Sequence, residues 1–347
     1  MLIQFNFKNF KSFRDEVSLD LTATKITEHE GHVAEAANDK LLKVAAIYGA
    51  NASGKSNVYD AFEYMTYYVD ESFKFGDEEE RRRKTGDSYL KVTPFLFDEN
   101  SRDEETTFEV FYVDNSEDTG KTYQYGFSLK KDEVVEEWLY SKAKTARNKY
   151  RTIFYRKKGE ELEMNGFSKN HVENIKASLN KESLIVSLGS KLRIAKLKKV
   201  RDWFLSNEIV NFGDPAENFF LSRVLPEGFV DQKEVQDNIV EYFASFDEAI
   251  QDFNVEVLPQ EDEKDNSKSY KIDALHKMGN TGKMAPIPLK QESSGTLKMF
   301  ALYPSLKEVL DQGSTLFIDE LNARLHPLLV RNIILSVLSL EINTRYA

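Results

Sequence analysis

Gly49-Ala50-Asn51-Ala52-Ser53-Gly54-Lys55-Ser56 is the stretch whose reading decides the fold of this chain. It fits G-x-x-x-x-G-K-[ST]. In that spacing glycines let backbone N–H groups close around a phosphate chain, the lysine reaches the β- and γ-phosphates, and the hydroxyl ligates Mg²⁺. The flanks agree with it. Ahead of it, Leu41-Leu42-Lys43-Val44-Ala45-Ala46-Ile47-Tyr48 is an apolar run of buried-strand length. Behind it, Val58, Ala61, Phe62, Met65, Tyr68 and Val69 recur three and four apart, as on one face of a helix. Strand, glycine loop and helix together predict a phosphate site at a helix N-terminus.

The bulk numbers leave room for that reading. A chain of 347 residues, 41% hydrophobic and 30% charged, has the apolar mass for one large domain or two. A formal net charge of −11 argues against a dedicated nucleic-acid coat while leaving room for a local basic groove. With no cysteine, disulfides and thiolate metal sites are excluded, which fits a reducing cytosol. No apolar run reaches the roughly 18–20 residues that span a bilayer, and the N-terminus lacks a signal-peptide profile. The expected location is cytoplasmic, with no membrane partner.

Around the loop, Leu2-Ile3-Gln4-Phe5-Asn6-Phe7 alternates as a half-buried strand, with a second strand at 17–21 and a polar loop over 22–40. The charged run at 77–84 reads as a solvated excursion. From 95 to 164 short β segments alternate with charged turns. Strands are expected at 107–113, 122–129, 134–140, 152–156 and 161–164, forming an antiparallel meander. Residues 169–253 read as mostly helical, with Val235, Ile239, Tyr242, Phe243, Phe246 and Ile250 at helical spacing. A charged loop at 261–268 separates paired strands at 255–258 and 270–275, after which Pro286 and Pro288 interrupt the chain.

Two C-terminal features extend the chemistry. Thr315-Leu316-Phe317-Ile318-Asp319-Glu320 reads as a buried strand ending in two carboxylates. Asp319 is placed to hold Mg²⁺, and Glu320 to polarise an attacking water as general base. Ahead of it, Glu292-Ser293-Ser294-Gly295-Thr296 opens an apolar-periodic helix through Leu297, Phe300, Leu306 and Val309. Alone its hydroxyls and helix N-terminus would read as a plain N-cap, but its position, one helix and one turn ahead of the Asp319-Glu320 strand, marks it as a second phosphate-binding surface. Pro304 predicts a kink or break within that helix.

A GKS loop near the N-terminus, a long insertion and an ESSGT-like signature just ahead of LFIDE resemble the ABC-type ATPase heads, including their SMC, RecF and OLD-nuclease branches. The chain as a whole is similar to the bacterial AAA-family ATPases of phage-defence and abortive-infection systems, of the RloA and AbiL kind. Three stretches carry this closer resemblance: Asn9-Phe10-Lys11-Ser12-Phe13, the loop from Gly49 to Asn57, and Asp319-Glu320-Leu321-Asn322-Ala323-Arg324-Leu325-His326-Pro327.

The implied fold is α/β, a P-loop NTPase of the ABC-ATPase head type with an antiparallel β lobe and a helical insertion. The implied domains are 1–165 (first part of the head, with the β lobe), 166–252 (helical insertion) and 253–347 (signature and acidic strand). The resemblance implies ATP and Mg²⁺ as cofactors, with Gly49, Asn51, Ser53, Gly54, Lys55, Ser56 and Asn57 on the nucleotide. It puts Ser56 and Asp319 on the metal, and Glu320 and Lys55 in catalysis. It also implies that Ser293, Ser294 and Gly295 contact the γ-phosphate held by the other subunit of a head-to-tail homodimer or higher oligomer, with 322–326 crossing the interface.

Two departures stand out. Pro94-Phe95-Leu96-Phe97-Asp98 falls where the family has a metal-contacting glutamine, so that role is left unassigned. The chain also ends at Arg345-Tyr346-Ala347, before the strand whose histidine senses the γ-phosphate in the family, as a truncated head would.

The expected function is an ATP-binding and ATP-hydrolysing switch that regulates an effector or toxin protein in antiviral defence. A RecF- or SMC-like DNA-repair clamp and a slow ATP-gated scaffold caging a partner are the rivals; a transporter motor has nothing to mark it. Nucleic acid could be met through Lys142, Lys144, Arg147, Lys149, Arg151, Arg156, Lys157 and Lys158, interleaved with Tyr150 and Phe154. A second basic set is Lys191, Arg193, Lys196, Lys198, Lys199 and Arg201. For both sets the plainer alternative is a solvated face.

Overall fold

The computed structural model describes residues 1–26, 28–75, 91–114, 120–146, 149–216, 225–244, 250–258, 270–279, 281–323 and 325–338. The charged run at 77–84, Arg147, Phe246, the loop at 261–268, Arg324 and the last residues 345–347 lie outside the described residues. Two units form: Met1–Ile209 with Gly313–Phe317, and Val210–Gln312 with the described residues from Ile318 on.

Period-two alternation builds the first unit. Strands β1 (Leu2–Lys8), β2 (Val17–Asp20), β5 (Thr106–Asp114), β6 (Lys121–Lys130), β7 (Glu133–Lys142), β8 (Arg151–Lys157) and β9 (Glu163–Met164) form one sheet in the order β2-β1-β5-β6-β7-β8-β9. Every neighbouring pair in it is antiparallel. The meander expected from the sequence is therefore present, with β1 and β2 added at its edge. Phe5, Phe7, Phe108, Val110, Tyr125, Phe127, Leu139 and Phe154 are buried in its core. Into the same core helix α1 (Lys55–Glu71) sends Val58, Ala61, Phe62, Met65, Tyr68 and Val69, the stripe that its spacing predicts. Helices α2 (Lys169–Ser178), α3 (Ile185–Lys191) and α4 (Ala195–Leu205) also contribute, through Ile175, Ile185 and Phe204.

Several expectations are corrected here. The apolar run 41–48 does not form one buried strand. Strand β4 (Asp39–Leu42) ends it early, pairing antiparallel with β3 (Val33–Ala36). Ile47 is 47% and Tyr48 88% exposed. A strand persists only where a neighbour completes its ladder. Leu41 and Leu42 have Ala34 and Val33, whereas no described strand pairs with 43–50. The same hairpin occupies part of the expected 22–40 loop.

In the second unit, β11 (Ile250–Val257), β12 (Tyr270–Lys277) and β13 (Met284–Pro288) form an antiparallel sheet. Pro286 and Pro288 thus sit in an edge strand, where a missing N–H is tolerated, and do not break the chain. Helix α5 (Lys233–Ala244) carries Ile239, Tyr242 and Phe243 inward, but Ile250 opens β11 and is not on that helix. Rings of Phe229, Phe253 and Phe300 cluster at centroid distances of 5.1–6.1 Å. Phe300 comes from α6 (Ser294–Gln312), which runs unbroken through Pro304. Burial of Phe300, Ala301, Leu302, Tyr303 and Leu306 on either side of the proline holds the helix together there. Strands β10 (Glu208–Asn211) and β14 (Leu316–Asp319) pair with each other, and α7 (Pro327–Leu338) follows. β14 is half-buried along its length, not the fully buried strand expected.

Candidate functional site

Residues 49–57 of the first unit form a tight loop running into α1. Gly54 is required by its surroundings, and Gly49 lies close against a side chain of its own loop. A Cβ on Gly49 would lie 2.6 Å from Ser53 Oγ, and one on Gly54 2.5 Å from Ser12 Oγ and 3.0 Å from the Phe13 ring. Gly54 also holds φ at +93°, in the left-handed region that glycine occupies without strain. As the N-cap of α1 it supplies no capping side chain, and the helix's first turn holds no acidic residue. The N–H groups and the positive dipole end therefore meet no side-chain cap or carboxylate of their own helix start. Lys55 Nζ folds back over the loop, donating to the carbonyls of Gly49 (3.0 Å) and Ala50 (2.9 Å). Asn51, Ser53 and Ser56 are exposed. A glycine cradle, an uncapped helix start and an ammonium folded over the loop fit a polyphosphate.

Asn9-Phe10-Lys11-Ser12-Phe13 divides its labour around this loop. Asn9, fully buried with φ +53°, donates through Nδ2 to Ser101 O (2.8 Å) and accepts from Phe95 N (3.0 Å). Phe10 is core. Lys11 pairs with Asp60 of α1 at 2.7 Å. Ser12 Oγ accepts from Asn57 Nδ2 at 2.7 Å, and Phe13 faces Gly54. A resemblance marked this stretch in the sequence; its contacts with the loop come from the fold.

Phe317, still within the first unit, stacks on Phe62 of α1 at 4.1 Å. In the second unit the carboxylate pair follows. Asp319 Oδ1 accepts from Glu320 N at 3.0 Å, and Phe212 N donates to Asp319 O at 3.1 Å. Glu320 is exposed, with φ +55°, and a Cβ on Gly213 would stand 3.0 Å from its Cγ. Ser293 caps α6, its Oγ accepting from Thr296 N at 3.1 Å, so the plain capping role is present. Ser294 is exposed and Gly295 half-buried beside it.

Sequence reasoning missed Lys298, one turn into α6 and buried. Its Nζ donates to the carbonyls of Glu320 (2.8 Å), Leu321 (2.7 Å) and Ala323 (2.9 Å) and lies 4.1 Å from the Phe212 ring centroid. A single lysine inside the apolar run 297–303 was the available signal. The structure thus groups the predicted residues in two sets, 49–57 in the first unit and 293–295 with 319–320 in the second.

For a metal, Ser56 offers a hydroxyl in the first unit and Asp319 a carboxylate in the second. Mg²⁺ accepts few protein ligands when phosphates and water complete its shell. Among the described residues no cluster of three or more His, Asp or Glu could hold a metal ion by itself. No helix among them is long and apolar enough to cross a membrane.

Several members of each basic set are engaged within this chain. Arg156 donates to the carbonyls of Ser183 (2.7 Å) and Asn180 (3.2 Å), Lys158 pairs with Glu133 (2.6 Å), and Lys142 lies over the Tyr150 ring. Lys198 pairs with Asp202, Arg201 with Asp70, and Lys196 donates to Gly166 O at 2.6 Å.

Residues 44–345 match the family model described as "AAA domain, putative AbiEii toxin, Type IV TA system". No curated protein matches the chain.

Proposed function

Since the chain belongs to this AAA domain family and so to the P-loop NTPases, we propose that it binds and hydrolyses ATP as one half of a head-to-tail pair and regulates an effector in antiphage defence. The observation that carries the reading is the glycine cradle of 49–57, with Lys55 folded over it and an uncapped α1 behind it. Backbone N–H groups and the α1 dipole bind the phosphate chain, and Lys55 exchanges its two loop carbonyls for phosphate oxygens. By the resemblance, Ser56 and Asp319 would each contribute to holding Mg²⁺, which when bound would neutralise charge on the phosphate oxygens. Glu320, exposed at the end of β14, takes the proton of the attacking water.

Ser294 and Gly295, with the Ser293 cap, present the α6 N-terminus to the γ-phosphate held by a second copy, as in the ABC-type heads that the chain resembles. Pairing would then follow ATP binding, and release would follow hydrolysis. The toxin–antitoxin wording of the family description and the resemblance to RloA- and AbiL-like ATPases support a defence role.

The test is Glu320→Gln. With ATP and Mg²⁺ this variant is expected to accumulate as a dimer by light scattering, while wild type cycles between dimer and monomer. A variant that stays monomeric with ATP bound would overturn the head-to-tail reading. Turnover raised severalfold by duplex DNA would favour a repair clamp instead; turnover indifferent to DNA but altered by a co-purifying protein supports the effector reading.

A further inference from the structure

We propose that Lys298 is a positioning residue that couples the start of α6 to the orientation of Glu320; the proposal rests on the ATPase reading above. Lys298 is only 6% exposed, yet its ammonium finds three acceptors, the carbonyls of Glu320, Leu321 and Ala323, within 2.7–2.9 Å. That matches the three protons an ammonium has to give. The Phe212 ring adds a cation–π contact at 4.1 Å. A buried cation is tolerated only when its surroundings are turned to meet it, and here what is turned is the loop that carries the carboxylate.

That loop needs holding. Glu320 sits at φ +55°, a conformation that costs a non-glycine residue about 1–2 kcal/mol. Its carbonyl also accepts from Ala323 N at 3.0 Å, so the turn closes on the atom that Lys298 grips. Gly213 and Phe212 complete the seat: a Cβ at Gly213 would press on Glu320 Cγ, and Phe212 N is bonded to Asp319 O. On the helix side, Lys298 follows Ser294 by four residues and Gly295 by three, so it shares their face. A shift of the α6 start on meeting a γ-phosphate would move the ammonium, and with it three carbonyls of the Glu320 turn. Lys298 touches neither substrate nor reacting atoms; it acts through Glu320.

The experiment uses the full chain. Lys298→Met keeps the length and apolar stem while removing the charge. It is expected to lower kcat at least about 30-fold while leaving the affinity for a fluorescent ATP analogue within about threefold. Amide exchange at Ala323 and Leu325 should accelerate about tenfold or more as the turn loosens. Because the chain has no cysteine, Lys298→Cys introduces a single thiol. Aminoethylating it in urea and refolding rebuilds an ammonium of lysine length, and kcat should return to within about fivefold of wild type taken through the same cycle. A merely space-filling Lys298 would leave Lys298→Met active and aminoethylation without effect. Either result, or unchanged exchange at Ala323 and Leu325 in Lys298→Met, would overturn the proposal. If wild type proves not to hydrolyse ATP, the ATPase reading fails, and exchange alone judges whether Lys298 holds the turn.

Discussion

Gly54 stands where three demands coincide: a left-handed φ, a neighbour 2.5 Å from any Cβ, and the first N–H groups of α1. Gly54→Ala is expected to cost on the order of 1–3 kcal/mol of stability and to weaken ATP binding at least about tenfold, read by calorimetric titration. Glu137 poses a different residue-scale problem. It is fully buried at the N-terminus of α3, accepting from Ile185 N (2.7 Å), Val186 N (3.2 Å) and Tyr125 OH (3.1 Å). Burial pushes its pKa from 4.5 up to about 7, against the opposing pull of Arg156 and those donors. With the folded value above the unfolded one, the folded chain holds more protons between pH 4.5 and 7. The contribution is therefore complete below pH 4.5 and lost as pH rises to 7, about 3 kcal/mol in all. Glu137→Gln should abolish that decline in urea melts between pH 5 and 8. Parallel wild-type and variant curves would show that another group is responsible. Glu133, held down to about 2 by Lys158 and Lys181, acts in a separate window, its contribution lost only as pH falls below 4.5.

At the scale of elements, the contact between α1 and β14 deserves the closest test. Phe62 is fully buried, stacked on Phe317 at 4.1 Å and edge-on to Phe5 at 5.3 Å. Phe62→Ala should destabilise the chain by about 3–5 kcal/mol through lost burial and a residual cavity. Phe62→Leu should recover most of that in chemical denaturation, because it refills the volume. Elements were legible in the sequence where their own residues carry the pattern. The alternation of β5 to β8 and the apolar stripe of α1 satisfy their burial against one core, so local period and tertiary packing agree. They were misread where identity depends on a partner. The run 41–48 has the composition of a strand but no described ladder beyond Leu42. Pro286 and Pro288 look like breakers until β12 places them at an edge.

For the whole molecule, nucleotide binding should register as global stability. A ligand present at 100 times its Kd stabilises the folded chain by about 2.7 kcal/mol, so ATP with Mg²⁺ should raise the melting temperature by several degrees. Lys55→Ala should remove the shift without lowering the melting temperature of the free protein, because among the described residues Lys55 donates to two carbonyls of its own loop. The chain passes between its units more than once: Gly313–Phe317 return to the first unit, while Asp319 and Glu320 belong to the second. By itself the sequence determined the phosphate loop, its helix, the antiparallel strands and the acidic pair, because each is written in contiguous residues of fixed spacing. Only the tertiary structure decided what stands against them: Ser12 and Phe13 at Gly54, Phe317 on Phe62, and Lys298 beneath the Glu320 turn. Spacing carries the local hydrogen-bond and burial pattern of one segment, whereas which distant side chain satisfies a buried charge or fills a glycine's missing volume is set by the closing of the chain on itself.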